Sequence, residues 1–224
     1  KSFSMNYFEL KFIKMMLSYG VYSVPANLTS VLNNTLGQFM LKNMININVV
    51  GIYSIALRFA MPIQLIGNSI QYAHTAVFFQ TLKEKNPEDI LSSMLNYFLI
   101  FISSICIFFS LFSPELLRLM TPDSFHISYK YIAPIGFLSV LSLLYTFLSS
   151  GIDSGKNLRP YITVNILGLL VLLISSYILI NKMGLIGSIL GSMTSRFFMI
   201  LLALNYAQKR IKINYNYILI VLIF

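Results

Sequence analysis

Six long apolar stretches dominate this chain. They cover approximately residues 15–41, 49–80, 90–113, 128–152, 160–180 and 184–206, and each can cross a bilayer as a helix of about 20 residues. No stretch alternates with a period of two for long, and the runs are about twice the length of a barrel strand. Only 10% of the residues are charged, against about 25% in soluble domains. The sequence therefore predicts an all-α polytopic membrane helix bundle.

The segments outside the stretches are short. We expect residues 1–14 to form a cytoplasmic lead-in, 15–206 a six-helix transmembrane bundle, and 207–216 a basic cytoplasmic loop. Residues 217–224 are apolar for only eight positions and are expected to begin a further transmembrane helix. These features predict that the chain is part of a longer protein.

Lysines and arginines are distributed unevenly between the two sets of loops. Ten of the 16 lie in the lead-in and the loops on its side of the membrane, and only four, Lys42, Arg118, Lys130 and Lys182, lie in the opposite set. Loops rich in Lys and Arg remain cytoplasmic, so both ends should face the cytoplasm. Because topology accounts for the positive charge, nucleic acid is not expected as a partner.

Polar side chains follow one helical face in each of the first two stretches. The residues are spaced by three or four, which places them on a continuous face. In the first stretch they are Ser23, Asn27, Ser30, Asn34 and Gln38, and in the second they are Gln64, Asn68, Gln71 and Thr75. Such faces suit a water-filled path for a polar substrate, although hydrogen bonding between helices across a dry interface is the alternative.

Two arginines lie inside the stretches, where a guanidinium is costly. Arg58 is near the external end of the second stretch, and Arg196 is near the middle of the sixth. The planar guanidinium of either residue could form paired hydrogen bonds with the phosphate oxygens of an anionic headgroup. The alternatives are that Arg58 extends outward to the membrane surface and that Arg196 pairs with polar or backbone groups.

Signals of catalysis or cofactor binding are not found. The sequence holds no HExxH motif, no Cys/His metal cluster and no paired carboxylates, and Cys106 is a lone cysteine. The segment Gly151 to Asn157 lacks the spacing and the hydroxyl of a phosphate-binding loop. We therefore expect neither an enzyme nor a cofactor.

Several motifs resemble a known family. Residues 24–28 (VPANL) and 50–58 (VGIYSIALR) resemble the seventh and eighth helices of Wzx-type polysaccharide-unit flippases. Residues 180–188 (INKMGLIGS) resemble the connection between their eleventh and twelfth helices, with Asn181 in place of the usual Pro. These flippases belong to the multidrug/oligosaccharidyl-lipid/polysaccharide exporter superfamily, and the motifs match its C-terminal half.

The resemblance implies a fold of two six-helix bundles around a V-shaped cavity, of which this chain would be the second. It implies a bacterial cytoplasmic-membrane flippase that moves oligosaccharide units on undecaprenyl diphosphate to the outer leaflet by alternating access, for surface polysaccharides such as O-antigen, lipopolysaccharide or capsule. Arg58 matches by position a cation that faces the pyrophosphate. A polysaccharide polymerase and a chain-length regulator are candidate partners, and a coupling ion is left open. The alternatives are a drug/cation antiporter of the same superfamily and a membrane-embedded polysaccharide polymerase.

Overall fold

The computed structural model describes residues 24, 28–29, 31–33, 35–81, 84, 87–153 and 159–208. These residues are almost entirely helical and include no strand, so the expected all-α bundle is confirmed. Residues 35–44 are helical and precede the first complete helix. The helices are α1 (Ile47–Thr81), α2 (Pro87–Leu111), α3 (Ser113–Met120), a short 3-10 helix (Asp123–Ser128), α4 (Tyr129–Asp153), α5 (Arg159–Met183) and α6 (Leu185–Gln208).

Five helices in the described part of the chain are long and apolar enough to cross a membrane. They are α1, α2, α4, α5 and α6, and they match the second to sixth predicted stretches within a few residues. Helix α2 begins at Pro87 with Glu88 and Asp89 in its first turn, where acids complement the helix dipole. Most of the first stretch, and all of residues 1–14 and 209–224, lie outside the described residues.

The connection between α2 and α4 is folded, whereas the sequence suggested a loop over residues 114–127. Helix α3 starts with Pro114 and Glu115 in its first turn and has Arg118 in its last, an order that suits both ends of a helix. Leu117 on its inner side is fully buried, while Leu119 and Met120 are exposed. The hydrophobic spacing over these eight residues was too short to be recognised from the sequence.

Helices α4 and α6 form the centre of the bundle. About two thirds of the α4 span (67%) and just over half of the α6 span (56%) are buried, against 22% to 28% for α1, α2 and α5. Helix α4 contacts α1, α2 and α6, and α6 also packs along α5. The outer helices bury a single face each, so their remaining sides are available to lipid or to further protein.

A tight turn joins α5 to α6. Gly184 has a φ of +60°, a left-handed conformation that favours glycine, and its N–H donates to the carbonyl of Ile180 at 2.9 Å. Beyond the turn, a side chain on Gly187 would meet the backbone of Leu179, and one on Gly191 would meet Ser176. The two helices therefore approach closely along small residues.

Two hydrophobic clusters fill the interior at different depths. One surrounds the start of α1 and includes Tyr53, Ile135 and Ile189. The other lies toward the far end of α1 and includes Ile63, Val140 and Met199. Between them, on α4 and α6, lie residues that belong to neither cluster, and many of these are polar.

Candidate functional site

A cavity of about 220 Å³ lies beside the hydrophobic cluster that contains Tyr53 and Ile135. Its walls come from one face each of α1, α4 and α6, with Asn33 and Leu172 completing them. The residues that line it are Asn33, Tyr53, Leu57, Met61, Gln64, Ile135, Leu138, Ser139, Ser142, Leu172, Ser192, Ser195 and Arg196. We call this space the central cavity.

Among the described residues that line the central cavity, Arg196 is the one with a charge, and none is acidic. The side chain is only 9% exposed. Its Nη1 lies 3.9 Å from the sulfur of Met199, and its Cζ lies 5.9 Å from the centre of the Tyr145 ring. A cation near an aromatic face is stabilised by the ring, and the Arg196 guanidinium is the charged group among the described residues of the cavity wall.

The region behind Arg196 is held by hydrogen bonds among α4, α5 and residue 33. The amide nitrogen of Asn165 donates to the Tyr145 hydroxyl at 2.9 Å, and that of Asn33 donates to the Asn165 carbonyl at 3.3 Å. The side-chain oxygen of Asn33 is buried and has no hydrogen-bond partner among the described residues. Because buried acceptors are usually hydrogen-bonded, this oxygen is a polar group of the wall whose partner is not among the described residues.

Serine hydroxyls supply most of the other polar groups. Ser139 donates to the carbonyl of Ile135 at 3.0 Å, Ser192 to that of Ser188 at 2.9 Å, and Ser195 to that of Gly168 at 2.7 Å. With their protons used in this way, the hydroxyl oxygens can accept hydrogen bonds from a ligand. The Nε2 of Gln64 already donates to the Ser139 oxygen at 3.2 Å.

The central cavity thus combines a cation with neutral acceptors. The guanidinium can donate to phosphate or sugar oxygens, and the serine and amide oxygens can accept from hydroxyl groups or water. An amine cation would meet Arg196 as a like charge. The chemistry suits a polyhydroxylated or phosphorylated group.

The structure brings together two of the predicted path residues, Gln64 and Arg196, which both line the central cavity. Asn68 is exposed on α1, Gln71 is buried, and Gln38 is half-buried within the helical residues 35–44. Both polar atoms of the Gln71 amide lack a hydrogen-bond partner among the described residues. Ser23, Asn27, Ser30 and Asn34 lie outside the described residues.

Arg58 lies in a separate pocket of about 430 Å³ on the outside of the bundle. Its side chain is exposed. The pocket is formed by Ile55, Arg58, Phe59 and Pro62 of α1, Phe109 of α2, Leu116 and Met120 of α3, and Thr121. We call it the α3 pocket, and it shares no lining residue with the central cavity.

Sequence reasoning missed several residues of the central cavity. Asn33 is adjacent to the predicted Asn34 but lies outside the predicted polar face. Ser139 and Ser142 are three positions apart in a mainly apolar stretch, a spacing that gives a weak signal. Ser192 and Ser195 belong to two runs of small residues at a spacing of four, a pattern that predicts close helix packing. Ser195 does bond the α5 backbone, and both also line the cavity.

The fold and the site define a multi-pass membrane protein, since helices long and apolar enough to cross a membrane surround a polar cavity. The model of the MatE family matches residues 14–178. The chain therefore belongs to the MatE family, whose members are transporters of the multidrug/oligosaccharidyl-lipid/polysaccharide exporter superfamily. No curated protein and no solved structure matches the chain.

Proposed function

We propose that this transporter is a flippase for lipid-linked oligosaccharides, which carries a sugar unit on undecaprenyl diphosphate across the bacterial cytoplasmic membrane by alternating access. The observation that carries the proposal is the charge of the central cavity. Arg196 is buried there, and none of the described residues that line the space is a carboxylate. A buried cation surrounded by neutral acceptors favours a ligand with phosphate and hydroxyl groups.

The same observation disfavours the two alternatives. A drug/cation antiporter needs negative groups to bind its substrate, and the described wall of the central cavity offers none. A membrane-embedded polymerase needs an acid and a base near the reacting sugars. The described acids, Glu84, Glu88, Asp89, Glu115, Asp123 and Asp153, all lie in or near the connections between spans.

The volume of the central cavity limits what it holds. About 220 Å³ is less than the roughly 300 to 1,000 Å³ of a typical small-molecule site. We therefore propose that it takes one phosphate or sugar group of the substrate, while the remainder lies against the exposed face of α1. Gln64 and Asn68 are both exposed on that face, where polar groups need water or a polar ligand.

The remaining predicted path residues extend this proposal. Gln71 follows Asn68 on α1 and is buried in this structure, so as a path residue it would have to become accessible in another state of the transport cycle. Gln38, with Ser23, Asn27, Ser30 and Asn34, would form the opposite wall of the path. In this arrangement the chain is the second of two bundles, with both of its ends in the cytoplasm and residues 217–224 beginning a further helix. A surface-polysaccharide polymerase and a chain-length regulator are the proposed downstream partners. The proposal does not specify an ion that drives transport.

Replacement of Arg196 tests the proposed substrate. Cells that depend on the full-length protein for surface polysaccharide would carry Arg196→Gln, Arg196→Lys or the control Arg118→Gln, which removes an exposed arginine of α3. Because a charge-assisted hydrogen bond contributes roughly 1.5 to 3 kcal/mol, Arg196→Gln should lower polysaccharide export at least tenfold, and Arg196→Lys less. Normal export by Arg196→Gln at equal membrane abundance would refute the proposal.

Thiol labelling tests the path along α1. In a Cys106→Ser background, single cysteines replace Gln64, Asn68 and, as a lipid-facing control, the exposed Ile107 of α2. Thiols react as thiolates, which form only in water. A membrane-impermeant reagent should label positions 64 and 68 and leave position 107 unlabelled. Equal protection at all three positions would show that the α1 face is dry.

A further inference from the structure

Arg58 is placed unlike the other charged residue inside the spans. It opens to the outside of the bundle, and its pocket is lined by apolar side chains of three helices and by Thr121. Among the described residues Arg58 forms no salt bridge, and no acidic residue lines the pocket. An arginine among apolar groups at the membrane surface requires an anion or water.

The α3 pocket lies beside the connection between α3 and α4, and this connection places it near one boundary of the membrane. Arg58 is eleven residues after Ile47, the first residue of α1, which corresponds to roughly 16 Å along the helix. At the same level, Thr121 is followed by the exposed Pro122, Asp123 and Ser124. The pocket therefore extends from a polar boundary into the apolar zone.

Helix α3 has the character of a helix that lies in the membrane interface. Leu116 and Met120 lie on one side of the helix, Met120 being 69% exposed, while Glu115 and Arg118 lie on the side away from them by helical spacing. Short amphipathic helices of this kind bury their apolar face at the boundary between headgroups and acyl chains. Leu116 and Met120 of this helix form part of the pocket wall.

Pro62 adds a hydrogen-bond acceptor to the site. It lies inside α1 and has no N–H, so the carbonyl of Arg58, four residues earlier, lacks its helical donor. Arg58 and Pro62 both line the pocket. The site thus offers a cation and, on the same side of the helix, a backbone acceptor.

We propose that the α3 pocket binds a membrane phospholipid, with the phosphate on the Arg58 guanidinium. A headgroup hydroxyl donates to the Arg58 carbonyl, and an acyl chain lies along Phe59, Pro62 and Phe109. Charge complementarity selects a lipid with net negative charge and a hydroxylated headgroup, as in phosphatidylglycerol. The occupied leaflet is the one at which α1 begins, which the distribution of Lys and Arg predicts to be the outer one.

Lipid binding to the purified full-length protein tests the proposal without any sugar-lipid. Native mass spectrometry would compare dioleoylphosphatidylglycerol with dioleoylphosphatidylcholine, which carries the same phosphate but a compensating positive charge and no headgroup hydroxyl. The protein should prefer phosphatidylglycerol, and Arg58→Gln should reduce that preference about tenfold, the equivalent of about 1.4 kcal/mol. Arg118→Gln, the matched control outside the pocket, should change it less than twofold.

Three outcomes would overturn the proposal. One is that Arg58→Gln leaves the preference for phosphatidylglycerol unchanged. Another is that Arg118→Gln reduces this preference as much as Arg58→Gln does, which would show that anionic lipid is attracted to surface charge in general. The third is displacement of the lipid by millimolar inorganic phosphate, since free phosphate cannot replace the contacts of an acyl chain with the apolar wall.

Photocrosslinking locates the bound lipid independently of the charge. A benzophenone amino acid in place of Phe109, which lines the pocket, should capture phosphatidylglycerol in vesicles, and capture should fall when Arg58→Gln is added. The same group in place of the exposed Phe101 of α2 should capture phosphatidylglycerol and phosphatidylcholine alike. If capture of phosphatidylglycerol at position 109 were the same with and without Arg58→Gln, the proposal would be overturned. Loss of lipid selectivity with intact transport would leave the proposed function standing.

Discussion

The two arginines inside the membrane spans occupy opposite kinds of environment. Arg196 is nearly buried between α4, α5 and α6, beside the Tyr145 ring and a wall of serines. Arg58 is exposed in an apolar pocket on the outside of α1. A guanidinium at position 196 can therefore contact a ligand inside the bundle, whereas one at position 58 can contact a lipid of the surrounding bilayer. Position relative to neighbouring helices, more than residue type, separates the two roles.

Replacement of Arg196 by methionine should give the largest contrast between function and stability. Burial of a guanidinium carries a desolvation cost, which an apolar side chain of similar size avoids. Arg196→Met should therefore keep or raise the thermal unfolding midpoint in detergent while lowering transport by roughly tenfold to a hundredfold. Loss of both properties together would instead mean that Arg196 serves the fold.

Close packing at Gly191 should support the central cavity without affecting the α3 pocket. A Cβ at Gly191 would lie 2.7 Å from the Cα of Ser176, so Gly191→Ala should separate α5 from α6 and cost about 1 to 3 kcal/mol of unfolding free energy. Gly51→Ala is the control, because its nearest neighbour is a ring carbon of Phe125 at 3.6 Å. Chemical denaturation of both variants, with lipid binding as a second measurement, tests the difference. Equal stabilities would contradict the packing argument.

Loss of the Arg58 charge should have a smaller effect on transport. The side chain lines a pocket separate from the central cavity, so Arg58→Gln should reduce polysaccharide export by about threefold or less while lipid selectivity falls about tenfold. Parallel export assays with Arg196→Gln provide the comparison. A loss as large as that of Arg196→Gln would place Arg58 on the substrate path, where its sequence position first suggested it.

Removal of the Ser139 hydroxyl should have the smallest effect. Hydrogen bonds between membrane helices contribute about 0.6 kcal/mol on average, so Ser139→Ala should change stability by roughly that amount through its contact with Gln64. Ser104→Ala removes an exposed hydroxyl that bonds within its own helix and should be nearly silent. A change above 2 kcal/mol at Ser139 would show that the Gln64 contact is part of a larger network.

Much of the fold could be predicted because the length of each apolar stretch and the residues that begin or end a helix can be recognised from neighbouring residues in the sequence. The spans α1, α2, α4, α5 and α6 begin and end close to the predicted positions, and Pro87 and Gly184 mark ends for reasons of backbone geometry. Helix α3 was not predicted, since eight residues carry too few hydrophobic repeats. For the candidate site, the sequence indicated Gln64 and Arg196 but not Asn33, Tyr53 or Ser139, which become cavity residues only when separate helices meet.

The sequence by itself determined that the chain forms a bundle of membrane helices. It also determined that two arginines lie within the spans, where a guanidinium costs free energy. Burial of backbone hydrogen bonds within each helix makes this level of structure independent of its neighbours. Tertiary packing alone decided that Arg196 faces a polar cavity while Arg58 faces an apolar pocket. The surroundings of a side chain depend on which helices lie beside its own, and distant segments such as α3 and α6 supply those neighbours.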